Sequence, residues 1–249
     1  HGRVVEGAAP LVVANHPRAV PGLLGFFTSA AFDSATGQPG MPQFWSDDFD
    51  LIEVFNDSSF DENEELVNDW FAFLNRGQRK FAVGSSDTHQ VYDIPLGYPR
   101  TCARVDMDST SALRSTGPTP LRDAMAGGHS VVNGGVHVSA THGCGARPGD
   151  VVSNAATSET VRVMVQAPQW VDVDTLRVYV NGVLIETLAL DETTADPLNP
   201  VVRFDADVSV PTGDAPAWVV LVAAGDTDLA PVHPGRMPFG VTNPIFFEP

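Results

Sequence analysis

The apolar pattern of the chain predicts an α/β unit followed by an all-β module, and three observations carry that prediction. First, three short apolar runs each end in polar residues. They are Leu11-Val12-Val13-Ala14 before Asn15-His16-Pro17-Arg18, Leu51-Ile52-Glu53-Val54-Phe55-Asn56, and Phe81-Ala82-Val83-Gly84-Ser85 before Ser86-Asp87-Thr88-His89. Second, the segments between them are long enough for helices, which suggests parallel strands with their functional groups gathered at one face of a barrel or open sheet. Third, the pattern changes near Gly149 to strict alternation of apolar and polar residues, the signature of half-buried antiparallel strands.

Taken in order, residues 64–77 place apolar side chains at 66, 67, 70, 71, 73 and 74, with Glu64 and Glu65 at the start and Arg76-Gly77 at the end. That is an amphipathic helix whose charges match its dipole. Residues 120–127 read as a short helix and 129–132 as a strand. Beyond Gly149, residues 160–166 and 175–180 alternate as strands, and Asn181-Gly182 is the strongest short hairpin signal, leading into residues 183–188. Residues 201–208 and 218–223 add further strands, so this part is expected to be an immunoglobulin-like β-sandwich. The span 231–238 reads as a connection. The tail 239–247 is too apolar to hang in water and is expected to pack back on the rest. The expected organisation is therefore a barrel-like portion over 1–148, a sandwich over 149–236 and a returning tail over 237–249.

Composition bounds the function. The 249 residues carry a formal net charge of -17 and are 43% hydrophobic. Such an acidic chain is a poor partner for nucleic acid or an anionic membrane, because a basic patch would have to oppose its own field. No apolar run approaches the roughly 18 residues a membrane-spanning helix needs. Cys102 and Cys144 allow one disulfide at most and do not fix the compartment. The chain opens at His1 without a leader, close to a buried-looking strand, which suggests a processed or truncated product.

The chemistry concentrates at the ends of the three apolar runs. An Asp-x-His pair in extended backbone projects both side chains to one side, as Asp87 and His89 would. Carboxylate and imidazole together suit zinc, manganese or iron. Glu53 lies inside an apolar run, where an unpaired carboxylate is costly, so it needs a cationic or hydrogen-bonding partner. Arg18 and Arg100 either clamp a substrate phosphate or carboxylate or form ordinary salt bridges. His137, His142 and Cys144 have spacing that permits zinc; against it stands the ordinary strand and turn that the family resemblance given below implies there. Trp45, Trp70, Trp170 and Trp218 sit in apolar or alternating contexts and read as packing residues.

In their order, Asn15-His16-Pro17-Arg18, Ile52-Glu53-Val54-Phe55-Asn56, Trp70 to Gly77, Gly84-Ser85-Ser86-Asp87-Thr88-His89 and Gly97-Tyr98-Pro99-Arg100-Thr101 resemble the PHP (polymerase and histidinol phosphatase) metallohydrolases. The branch most similar is the carbaryl-hydrolase-like one, CehA/McbA, whose members often append a β-rich module and a segment like Val241-Thr242-Asn243-Pro244-Ile245-Phe246. The resemblance covers roughly residues 8–150. It implies a distorted (β/α)7 barrel with two or three divalent metal ions (Zn, Mn or Fe) at the C-terminal strand ends. It makes His16, Asp87 and His89 metal ligands, and puts Glu53 and Asn56 beside the site. The family's His-x-His pair and further ligands belong upstream of His16 and have no counterpart in the fifteen residues before it. The βα portion also falls short of the roughly 200–250 residues of a closed barrel. The expectation is the C-terminal portion of a hydrolase acting on a phosphate ester, another ester or a carbamate, with an N-terminal fragment of the same protein as partner. The appended module suggests an extracytoplasmic bacterial protein. The alternative is a non-catalytic binding or structural module built from a degenerate PHP half and a sandwich.

Overall fold

The computed structural model describes residues 10–18, 24–90, 96–106 and 109–249. Among these residues it is rich in β-sheet, with four short α-helices. The N-terminal part runs β1 (Val13–Ala14), α1 (Phe26–Ser29), β2 (Phe32–Asp33), β3 (Gln38–Pro39), β4 (Leu51–Asn56), α2 (Glu64–Asn75) and β5 (Phe81–Ser85). There follow β6 (Arg100–Ala103), α3 (Thr110–Thr116), α4 (Thr119–Ala126), β7 (Ser130–Gly134) and β8 (His137–His142). The remainder is β9 (Val151–Ser153), β10 (Glu159–Gln166), β11 (Thr175–Val180), β12 (Val183–Ala189), β13 (Val202–Val210), β14 (Ala217–Ala224), β15 (Phe239–Thr242) and β16 (Ile245–Glu248).

The three apolar runs form one parallel sheet in the order β1-β4-β5. Helix α2 links β4 to β5, starts on Glu64 and Glu65, and is followed by Gly77 at φ 72, a left-handed turn that only glycine enters freely. Its apolar face is wider than the spacing predicts, because the helix is covered on two sides. Phe73 stacks at 4.9 Å on Phe32 in a cluster with Phe27, Trp45 and Phe49, while Phe71 lies 4.9 Å from Trp218 and 5.6 Å from Tyr179 of the larger sheet. Such ring pairs contribute about 0.5–1.5 kcal/mol each beyond their buried area. The Trp218 indole also donates to Asn75 Oδ1 at 3.0 Å, tying the helix to β14.

The alternating segments beyond residue 158 form β10 to β14. Asn181 and Gly182 both have positive φ, 50 and 81, as a two-residue hairpin between Val180 and Val183 requires. Val161, Val163 and Val165 of β10 are wholly buried, and β10 pairs with β13 on one side and β8 on the other. The larger sheet has the order β12-β11-β14-β15-β7-β6, with β16 pairing β14 and β9.

Strand pairing runs across the expected divisions of the chain. The boundary at 148 is crossed twice by hydrogen-bonded pairs, since β7 pairs with β15 and β8 with β10. The tail does more than pack back: β15 lies between β14 and β7 in the middle of the larger sheet. Trp170 departs from the packing expectation, being half exposed beside Arg100 and His137 in an open cleft. Cys102 and Cys144 are free thiols. No helix among the described residues is long and apolar enough to cross a membrane.

The tail also fixes the strand that leads to Asp87. Strand β5 has β4 on one side, and its other edge meets β6 and β7 through side chains. Asn243, in the break between β15 and β16, accepts from Ala82 N–H at 2.9 Å and donates to the Ala82 carbonyl at 3.1 Å, as a neighbouring strand would. Two residues on, the Thr101 hydroxyl accepts from Gly84 N–H and donates to the Gly84 carbonyl, both at 3.0 Å. These two side chains satisfy backbone groups that burial would otherwise strand. Gly84 has no room for a side chain, because an added Cβ would sit 2.6 Å from Val132 Cγ1 and 3.2 Å from Pro99.

Candidate metal centre

At the C-terminal end of the parallel sheet, residues from three strands approach one another. His16 follows β1, Glu53 and Asn56 lie on β4, and Asp87 and His89 follow β5. The two nitrogens of the His16 ring are served differently. Nδ1 lies 3.5 Å from Glu53 Oε2 and 3.3 Å from Asn56 Nδ2, whereas Nε2 lies 3.8 Å from Asp87 Oδ1. The same Asp87 oxygen is 3.1 Å from His89 Nε2. Both imidazoles therefore face one carboxylate oxygen.

Glu53 is only 5% exposed, and the sequence-based demand for a partner is met without a cation. Its Oε2 accepts the backbone N–H of His16 at 2.9 Å, and its Oε1 accepts the Ser85 hydroxyl. One carboxylate thus ties the ends of β1, β4 and β5 together. Ser85 was not singled out from sequence, where a serine after a strand has no distinguishing signal.

Asp87 and His89 do not meet as the alternation rule expects. Strand β5 stops at Ser85, and Asp87 has φ 47, in the left-handed region. The pair is brought together by a turn rather than by extended backbone. His16 has φ 45 as well, and Asp57, next to Asn56, has φ 44. Non-glycine residues in this region cost of order 1–3 kcal/mol at strained positions and gather at functional sites, although Asp and His tolerate it better than most. Asp57 is held there by Arg236, which donates Nε to Oδ1 at 2.9 Å and a second nitrogen to Oδ2.

The arginines part ways. Arg18 is committed to Asp69 of α2 through Nε–Oδ2 at 2.7 Å and Nη2–Oδ1 at 2.5 Å, and it also donates to the Phe32 carbonyl at 3.1 Å. Asp69 is fully buried. Burial pushes its carboxyl above the ordinary range even with Arg18 bound, so the pair is structural in its geometry. Arg100 donates to Gly97 O and to Asn133 Oδ1, at 3.3 and 3.0 Å, in the cleft of about 600 Å³ that it shares with His137, Trp170 and His233. That lining includes none of His16, Glu53, Asp87 or His89.

A divalent ion bound at about 2.0–2.2 Å holds neighbouring ligand atoms roughly 3.0–3.4 Å apart. The Asp87–His89 separation matches this, and the His16–Asp87 separation exceeds it by a few tenths of an ångström. As they stand, no three His, Cys, Asp or Glu side chains among the described residues are arranged to hold a metal ion. The donor set itself fits, with two imidazoles and a carboxylate, and with Glu53 behind His16 where a carboxylate commonly orients a ligand histidine. No family model, curated protein or solved structure matches the chain.

Proposed function

We propose that the protein is a metal-dependent hydrolase of the PHP type, acting on a phosphate ester, another ester or a carbamate. One observation carries the reading. His16 and His89, which follow different strands, face the same Asp87 oxygen at 3.8 and 3.1 Å. In this reading the parallel sheet is the C-terminal portion of a distorted (β/α)7 barrel, and the paired β-sheets after it are an immunoglobulin-like module.

His16, Asp87 and His89 would hold the metal. When bound, such an ion lowers the pKa of a coordinated water toward neutrality and stabilises negative oxygen in the transition state. Glu53 positions His16 by taking its backbone N–H and facing Nδ1, which leaves Nε2 directed at Asp87. Asn56 lies against the same Nδ1. Arg18 is engaged by Asp69, so of the two arginines Arg100 would be the one left to meet an anionic substrate group, reaching it from a cleft whose lining includes none of the proposed ligands. A further segment of the same protein would supply the remaining ligands of the family pattern, and the bacterial, extracytoplasmic setting belongs to this reading.

The test is hydrolysis of nitrophenyl phosphate, nitrophenyl acetate and carbaryl with added Mn²⁺ or Zn²⁺, the upstream segment being present. Metal-dependent turnover that disappears in Asp87→Asn supports the reading. Turnover unchanged in that variant, or none for any substrate, favours the non-catalytic module instead.

A further inference from the structure

A second constellation lies away from these strand ends, on β8, β10 and the turn between β8 and β9. His142 Nδ1 is 3.0 Å from the Sγ of Cys144, and its Nε2 is 2.9 Å from Glu159 Oε2. We propose that Cys144, His142 and Glu159 form an activated thiol site, at which Cys144 is modified by low-molecular-weight disulfides.

The fold builds this arrangement deliberately. His142 ends β8 and pairs with Val161 of β10, two residues from Glu159. Phe247 packs edge-on against the His142 ring at 5.9 Å and keeps it between thiol and carboxylate. Glu159 is itself held by the Ala156 N–H at 2.6 Å. The imidazole and carboxylate are mostly covered, with side-chain exposures of 13% and 16%, while Cys144 is exposed. Gly143 and Gly145 flank the sulfur, and a Cβ added to either would meet nothing within 4 Å. The nucleophile stands in open space while its activating partners are shielded.

Nδ1 also faces the Cys144 backbone N–H at 3.3 Å, and the contacts with sulfur and carboxylate help set the direction in which each group's titration shifts. The His142 hydrogen bond, helped by the Ala146 N–H, holds the Cys144 thiol below its ordinary range. Burial pulls the His142 imidazole down, but its contacts with Cys144 and Glu159 outweigh this and leave it above its ordinary value. The Ala156 N–H, followed by His142, holds Glu159 below the usual carboxylate range. A thiolate beside an imidazolium that is backed by a carboxylate is the pattern of reactive cysteines. The sequence spacing also permitted zinc, but here the imidazole lies between sulfur and carboxylate instead of converging with them on one point.

In the reaction the Cys144 thiolate attacks one sulfur of the disulfide. A new S–S bond forms at Sγ as the original one breaks, and the departing sulfur leaves with the electron pair as a thiolate. Cys144 is oxidised and the leaving sulfur reduced. The proton given up by Cys144 passes through His142 to solvent or to the departing thiolate.

The experiment uses the full chain carrying Cys102→Ser, so that one thiol remains. Reaction with dithiobis-nitrobenzoate is followed at about pH 6, where an ordinary thiol is less than about 1% ionised. The folded chain should react at least about tenfold faster than the same chain in urea, and its rate should level off below the ordinary thiol range of about 8.5. His142→Asn should lose most of the advantage and Glu159→Gln part of it. Glutathione disulfide should add one reducible adduct at Cys144, read by intact mass. A folded-state rate no higher than in urea, a rate still climbing through the ordinary thiol range, or no glutathione adduct would overturn the proposal. The comparison with urea needs no variant at the triad, so it stands even if His142→Asn fails to fold.

Discussion

Replacing Asn243 by Ala should cost on the order of 3–5 kcal/mol, because it exposes the open edge of β5 to a site that water does not reach. Asn243 is 1% exposed. It accepts from Ala82 N–H at 2.9 Å and donates to Ala82 O at 3.1 Å, Ser130 O at 3.1 Å and Ser130 Oγ at 3.0 Å. Two amide hydrogens shared among three acceptors, with one accepted bond, amount to about three full hydrogen bonds. A buried group left without its partner costs about 1–3 kcal/mol, with donors at the upper end and carbonyls, which have a second lone pair, at the lower. One stranded N–H and two weakened acceptors give the stated range. Asn243→Asp should be no milder near neutral pH, since it keeps an acceptor for Ala82 N–H but turns a second oxygen toward two carbonyls. Equilibrium urea unfolding measures both, at unchanged denaturant slope. A loss under about 1 kcal/mol for Asn243→Ala would refute the claim that the tail secures the strand leading to Asp87.

Three further outcomes follow from the same geometry. Gly84→Ala should destabilise by about 1–3 kcal/mol through overpacking against Val132 and Pro99, with partial recovery in Val132→Ala, as read by thermal unfolding. Arg18→Ala strands the buried Asp69 and should cost about 3–5 kcal/mol, whereas Arg18→Met with Asp69→Leu should be far milder; equal stability of Arg18→Ala and wild type would return Arg18 to a substrate role. The His142–Glu159 pair should stabilise the fold over a defined pH window. The raised His142 contributes fully below its ordinary 6.5 and is lost as pH rises through its folded value, while the depressed Glu159 contributes above its ordinary 4.5 and is lost as pH falls through its folded value. The stability gap between wild type and Glu159→Gln should therefore be widest from pH 4.5 to 6.5 and shrink toward alkaline pH in a pH series of urea midpoints.

Local signals were legible in the sequence and tertiary ones were not. Helix α2 and the Asn181-Gly182 hairpin depend on spacing and turn chemistry within a few residues, and both stand where the pattern puts them. The three parallel strands were legible because each is a short apolar run ending in polar residues. Asp87 and His89 were readable as a pair, yet not the way they meet, because the left-handed backbone at Asp87 leaves no mark in the letters around it. Arg18 looked available since its partner Asp69 reads as an ordinary residue on the polar side of a helix; it is buried because it lies one turn before Phe73, on the side of α2 that Phe32 and Arg18 cover. The strand pairing across residue 148 was hidden for a similar reason. Asn243 lies 161 positions from Ala82, and β15 from β7 more than a hundred, so the sheet that joins the two parts is invisible to any local window.

Mn²⁺ binding followed by electron paramagnetic resonance tests the central claim most directly, since Mn²⁺ favours carboxylate and imidazole over the free thiols elsewhere in the chain. One class of weak site is expected on this chain, lost in Asp87→Asn and weakened at least about tenfold in His16→Ala and His89→Ala. Binding that is absent in the wild type, or identical in all four proteins, would contradict it.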